Sequence, residues 1–368
     1  MNHIKYFVCL ILFLGISACT QQRPGTTPVR MGYPGSMPGQ NKVALLLPLS
    51  GPQKAIGKHL SQAAHMAVFE KNDKDFVLTF YDTKADPAEA ALVAQQAVND
   101  NAHLIIGPLF SNTSLAVYQR IQGRVPLISL SNNEAIAKDR LYPFGFQVKD
   151  QMSRLFAFLA EQHKNHLVLL VPQSQYGENV RKYSVDKARQ YGQTLTTISY
   201  TNPSDMQQVA SELKQMPHID VLILSEGGKD LNLMVSSLLY YDAPLNHFKI
   251  AGTGLWDSAD KKHAALQGAW YVAVNPERRR SFEKEYKALY GETPPRLATL
   301  TYDAVSMATM LARSANLPDS ALKALDGFEG LDGLFRFRNG GYVNRALGIL
   351  EVRLGAPDLV VSPERYVD

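Results

Sequence analysis

Short apolar runs that stop at Gly or Pro, pass through a polar loop and give way to a helical pattern recur along most of this 368-residue chain. That rhythm leaves few folds open. Strands buried on both faces read as continuous apolar runs, and parallel neighbours need a crossover helix between them. Leu104-Ile-Ile106 is one such run. Gly107 and Pro108 stop it, and Ser111, Asn112, Thr113 and Ser114 are all good helix N-caps before the helical pattern that begins at Leu115. The same unit opens at Lys42–Leu47, with Ser50 and Gly51 in its loop and a helix from about Ile56 to Lys71. A strand at Phe76–Tyr81, a helix at Ala88–Val98 and a strand at Val125–Leu130 complete the first series; Ser129, Ser131 and Asn132 stand at the end of the last.

A second series begins after Val148. Its strands are Leu167–Val171, Thr194–Ser199, Val221–Leu224 and Lys249–Ala251, with helices between them. Their loops hold Tyr176, then Glu226 and Lys229, then Thr253. The length exceeds what one core usually holds. The expectation is therefore α/β, with two lobes, each a doubly wound parallel sheet with right-handed crossovers. In such sheets ligands bind outside the strand carboxyl ends. A hydroxyl-rich loop at a helix N-terminus suits an anion, because free N–H groups and the positive dipole end face it. The competing reading is that Ser111 to Ser114 only cap a helix.

The first eighteen residues read as a lipoprotein signal peptide, with Lys5 before an apolar stretch too short to span a bilayer. The stretch ends in Ile16-Ser-Ala-Cys19, the pattern of a bacterial lipobox, so Cys19 is expected to be lipidated. Thr20 resembles signals sent on to the outer membrane, given a Gram-negative source. Residues 19–41 then read as the lipidated cysteine and a flexible Pro- and Gly-rich linker with a span of roughly 25 Å. The membrane is met by the anchor only, at the periplasmic face of the outer membrane. Beyond Cys9 and Cys19 the chain has no cysteine, so the body holds no thiolate metal site or cysteine nucleophile.

A net charge of +4 gives no argument for nucleic acid, and Arg278-Arg279-Arg280 sits among glutamates as a solvated helix face. His163 and His166 have helical spacing but no third ligand. No phosphate loop or nucleophile elbow has the required spacing. No enzyme activity, cofactor or metal is expected.

Pro48-Leu-Ser-Gly51, Tyr81-Asp82 before Asp86-Pro87, Ile105-Ile-Gly-Pro-Leu109 with Ser111 and Ser114, and Val125-Pro-Leu-Ile-Ser129 occur in order. Gln175-Tyr-Gly177, Thr301-Tyr-Asp-Ala-Val305 and Leu331-Asp-Gly-Leu-Phe-Arg336 continue the series. Across residues 42 to 355 this closely resembles type I periplasmic binding proteins of the leucine/isoleucine/valine group. The resemblance implies two lobes joined by three crossovers. Lobe one would be 42–148 plus 275–330 and lobe two 149–274 plus 331–361, with hinges near Phe146, Tyr271 and Gly333. It also implies a ligand cleft that draws on Ser50, Ser111, Asn112, Thr113, Ser114, Ser129, Ser131 and Asn132 from lobe one. Tyr176, Glu226, Lys229 and Thr253 would come from lobe two. Lys229 stands where transport members carry an aromatic, and no acid for an α-ammonium lies within Gly252–Trp256, although Glu226 and Asp257 are near.

The lipobox, the linker, Lys42-Val-Ala-Leu-Leu-Leu-Pro-Leu-Ser-Gly51 and Gly333-Leu-Phe-Arg-Phe-Arg-Asn339 look like the penicillin-binding protein activator lipoproteins. These share the fold and stimulate a peptidoglycan synthase by contact. The expectation places that regulatory role first, with a penicillin-binding protein as partner. The alternative is a substrate-binding lipoprotein that delivers an amino acid, or another small polar or anionic ligand, to an ABC transporter permease.

Overall fold

In a computed structural model, the structure describes residues 29–31, 41–312, 317, 319–324, 326–355 and 358–361. The signal peptide, Cys19 and most of the linker lie outside them. Among the described residues no helix is long and apolar enough to cross a membrane.

The first series folds as β1 (Val29–Met31), β2 (Asn41–Leu47), α1 (Lys54–Lys71), β3 (Phe76–Asp82), α2 (Pro87–Asn99), β4 (Leu104–Ile106), α3 (Ser111–Ile121), β5 (Leu127–Ser129) and β6 (Leu141–Pro143). The second is α4 (Val148–Glu161), β7 (His166–Pro172), α5 (Gln175–Tyr191), β8 (Thr194–Tyr200), α6 (Met206–Gln215), β9 (Val221–Leu224), α7 (Gly228–Tyr240), β10 (Lys249–Gly252) and β11 (Trp270–Ala273). The chain then returns to the first lobe through α8 (Pro276–Tyr290) and α9 (Ala298–Ala312). The hairpins β12 (Phe328–Gly330), β13 (Gly333–Phe337) and β14 (Val343–Arg345) follow, then β15 (Gly348–Glu351) and β16 (Asp358–Val361).

One sheet runs β1-β3-β2-β4-β5-β6 and the other β16-β15-β11-β10-β9-β7-β8. Both are parallel except where β1, β15 and β16 pair antiparallel. The apolar runs are buried on both faces: Val43 to Leu47 and Leu167 to Val171 are at most 3% exposed. In the first lobe α1 and α9 cover one face and α2 and α3 the other, each over its own apolar cluster.

Two expectations change here. Val29–Met31, read as linker, adds an edge strand to β3, whose outer edge offers unpaired backbone groups that template pairing. Residues 331–345, assigned to lobe two, belong to lobe one. Phe335 and Phe337 pack on Tyr142 and Phe144, with Phe335 only 4.8 Å from Phe144 between ring centroids. Burial of those rings decides the matter. The third crossover to the second sheet therefore lies at Ala346–Leu347, between β14 and β15. Gly333 sits beside that crossover, with Leu334 O accepting Ala346 N at 2.9 Å.

Candidate ligand-binding cleft

A cavity of about 610 Å³ opens between the lobes. The three crossovers make its floor, through Phe146 and Gln147, then Val272 to Val274, then Arg345 and Leu347. Gly145 is needed there: a Cβ on it would lie 2.6 Å from Asn132 N, so only glycine lets the first crossover press against the Ser131–Asn132 loop.

From lobe one, α3 aims its N-terminus at the cavity. Its N-cap, Phe110, supplies no side-chain cap. Ser111 and Asn112 line the cavity, and their amides, in the first turn, have no intrahelical acceptor. Ser131 and Asn132 also line it. From lobe two come Tyr176, Asp150 and Gln151, and the turn at 254–258. Tyr176 lies inside the first turn of α5 rather than in a loop, because Ser174 already caps that helix by accepting Gly177 N at 3.1 Å. Its hydroxyl meets Thr253 Oγ1 at 2.9 Å, and burial pushes its pKa up to about 12.

Seven expected residues do not line the cavity. Thr113, Ser114 and Ser129 are fully buried. The hydroxyls of Thr113 and Ser114 both donate to Phe110 O at 2.8 Å, and Ser114 meets Ser129 at 2.7 Å, so the trio fastens α3 to β5. Ser50 donates to Asp82, which also accepts the amides of Leu49, Ser50 and Lys84; it braces a loop. Glu226 accepts from the Tyr200 hydroxyl. Lys229 is exposed in the first turn of α7. Thr253 is buried behind Tyr176 and touches the cavity only through it.

Four charged residues that the sequence reading did not select, Asp150, Asp257, Arg296 and Arg345, also line the walls. Asp257, in the lobe-two turn, pairs with Arg296 Nε at 2.6 Å and with Arg279, both from lobe one. Arg279, expected on a solvated helix face, is instead buried, because this ion pair turns it inward. Burial would raise the Asp257 carboxyl, but the two guanidinium groups more than offset it and hold it below the usual carboxylate range. Arg296 also pairs with the fully buried Asp332 at 2.7 Å and lies 4.2 Å over the Phe146 ring. Arg345 lies near the same ring at 5.3 Å and donates to Asp332 O. Asp150 of α4 accepts Arg345 N at 2.9 Å and Asn344 Nδ2 at 3.4 Å, and burial raises it to about 6. A further bond between lobes joins the Tyr183 hydroxyl to Glu134, whose carboxyl burial raises. These groups are far apart in sequence. The one local hint was Pro294-Pro295 before Arg296, a turn into a helix at the right end of lobe one.

The cavity therefore offers helix N-terminal amides and apolar surface from Leu109, Phe110, Leu130, Phe146, Leu255 and Leu347. Its two acids are already engaged. Among the described residues no group of three or more His, Cys, Asp or Glu forms a metal site.

A family model described as periplasmic binding protein matches residues 40–356. An uncharacterized protein of Rickettsia prowazekii is 26% identical over 213 residues, 55% of this chain and 57% of that one. The penicillin-binding protein activator LpoA of Yersinia pseudotuberculosis is 26% identical over 208 residues, 45% of this chain and 31% of that one. The chain thus spans a little over half of the first relative and about a third of the second. Among solved structures, a putative branched-chain amino acid ABC transporter protein from Rhodospirillum rubrum superposes with TM-score 0.76 at 17% identity, covering 87% of this chain and 100% of that one. A solute binding protein of an R. palustris ABC transporter, in complex with benzoate, gives TM-score 0.61 at 16% identity, covering 89% and 98%. These structures share the two-lobed fold.

Proposed function

Because the chain belongs to the periplasmic binding protein family, we propose that it is a non-enzymatic solute-binding protein serving an ABC transporter permease, and that its cleft takes a small carboxylate with an apolar body. This places first the transport role that the sequence reading ranked second. The structural neighbours, described as ABC transporter proteins, support that order. The observation that carries the ligand class is Asp257. Its carboxylate is consumed by Arg279 and Arg296, and Asp150 is consumed by the third crossover. An α-ammonium buried in this cleft would lack a free counter-charge, at a cost of several kcal/mol. A carboxylate instead meets the Ser111 and Asn112 amides at the positive end of α3, with Ser131 and Asn132 beside it and Tyr176 opposite. In this reading the body stands in the periplasm, tethered by lipid on Cys19.

A thermal-shift and calorimetric series with benzoate, 4-methylpentanoate and leucine tests the ligand class. A ligand at 100 times its Kd adds about 2.7 kcal/mol to stability. The carboxylates should raise the melting temperature and leucine should not, and Asn112→Trp should abolish the shift. Tight binding of leucine with no response to the carboxylates would overturn the assignment. The Yersinia relatives favour a second reading, activation of a penicillin-binding protein. Specific co-purification of a peptidoglycan synthase with the lipidated protein, in place of a permease, would move the role there.

A further inference from the structure

Lobe one carries a second cavity, a groove of about 750 Å³ bounded by the C-terminal end of α1, α8, α9 and β12–β13. None of its lining residues lines the interlobe cleft. Its floor is apolar, made by the buried rings of Phe282, Tyr302, Phe328 and Phe335. Met310 adds a thioether side chain that is 49% exposed.

The charge around this floor is one-sided. Four carboxyl groups line the groove, Glu70, Glu285, Glu329 and Asp303, against two cations, Lys71 and Arg278. Both cations are already neutralised from within the groove, Lys71 by Glu70 at 2.9 Å and Arg278 by Glu329 at 2.6 Å. That leaves Glu285 at the rim as the uncompensated charge, while burial and the neighbouring Asp332 raise the carboxyl of Asp303 at the floor to about 7. Asp303 is 1% exposed and held by the amides of Leu331 at 2.7 Å and Asp332 at 3.1 Å. Gly330 closes over it, and a Cβ there would lie 2.4 Å from the Asp303 carboxyl carbon.

A groove with an apolar aromatic floor and an excess of negative charge repels carboxylates. It attracts a cation that can bury a hydrocarbon body, because both the ring quadrupoles and the carboxylates favour positive charge. We propose that this groove is a second binding site, specific for a small organic ammonium ion with an apolar body. The site is independent of whatever the cleft takes.

The test is isothermal titration calorimetry of the whole protein with hexylammonium, hexanol and hexanoate at pH 7.5. Hexylammonium should bind saturably with one-to-one stoichiometry, hexanol at least tenfold more weakly, and hexanoate not at all. Glu285→Gln and Met310→Lys, both at exposed positions, should each weaken hexylammonium about tenfold, or about 1.4 kcal/mol. The cleft variant Asn112→Trp should leave its binding unchanged. Equal affinity for hexanol and hexylammonium would overturn the proposal, as would loss of binding in Asn112→Trp but not in Glu285→Gln. So would the absence of saturable heat up to about 10 mM, a Kd equivalent to less than about 3 kcal/mol.

Discussion

Asp257→Asn is the perturbation that most directly examines how the lobes are held together. The Asp257 side chain is 6% exposed, and its partners Arg279 and Arg296 are 10% and 16% exposed. Removing one member of a buried ion pair costs about 3–5 kcal/mol, because the partner is left without compensation. Here Arg296 keeps Asp332 and Arg279 keeps Glu283 at 3.2 Å, which places the expected loss near the lower end, about 3 kcal/mol at pH 7. If the lobes part to let the arginines reach water, the loss shows in closure instead, as a larger radius of gyration by small-angle scattering. The pH dependence separates charge from packing. The fold holds the Asp257 carboxyl below its ordinary value, so its stabilisation is complete above the unfolded value of about 3.9 and disappears as pH falls through the folded value. Urea denaturation of both proteins from pH 3 to 8 is the assay. A difference below about 1 kcal/mol at pH 7 with unchanged dimensions would refute the reasoning, since exposed pairs contribute that little. So would a difference that persists undiminished at pH 3.

Asp150 should act with the opposite sign. Its carboxyl is raised to about 6 in the fold, so its share of stability is greatest near pH 4, declines as pH rises to about 6 and is flat above. Two units correspond to about 3 kcal/mol, and denaturation of Asp150→Asn should lack that limb. Ser114→Ala and Ser129→Ala should each lower stability by about 1–3 kcal/mol through the hydroxyl left unpaired, while ligand affinity changes less than about threefold, below 1 kcal/mol. A calorimetric loss of tenfold or more would return both residues to the cleft. Gly252→Ala puts a Cβ 2.1 Å from the Trp256 ring, and overpacking of that kind should cost about 1–3 kcal/mol in thermal denaturation.

The solved neighbours share the two-lobed body and the Yersinia relative matches 45% of this chain, so likeness alone does not choose between transport and regulation. Function on a shared fold resides in the site. In the proposed reading the site that decides is the charge arrangement around Asp257.

Local pattern accounts for everything about this protein that follows from neighbours in the chain. Apolar runs such as Leu104–Ile106 and Leu167–Val171 specify buried parallel strands. Gly and Pro mark their ends, and the order of these units specifies two sheets and the family. Residues at the strand ends, Ser111, Asn112, Ser131, Asn132 and Tyr176, were legible as cleft residues for the same reason, since ligand sites follow strand topology. Packing decided the rest. Thr113 and Ser114 resemble loop hydroxyls in sequence, yet they fall on the helix face that also buries Val117 and Ile121, so their hydroxyls turn to Phe110 O. The short strand Val29–Met31 has a partner only because β3 leaves an edge open. Phe335 and Phe337 join lobe one because its aromatic cluster lies within their reach. Asp150, Asp257, Arg296 and Arg345 lie on four segments that meet only when both lobes are built. Their mutual ion pairs and hydrogen bonds are set by distances of a few ångströms in space, and no spacing along the chain encodes those distances.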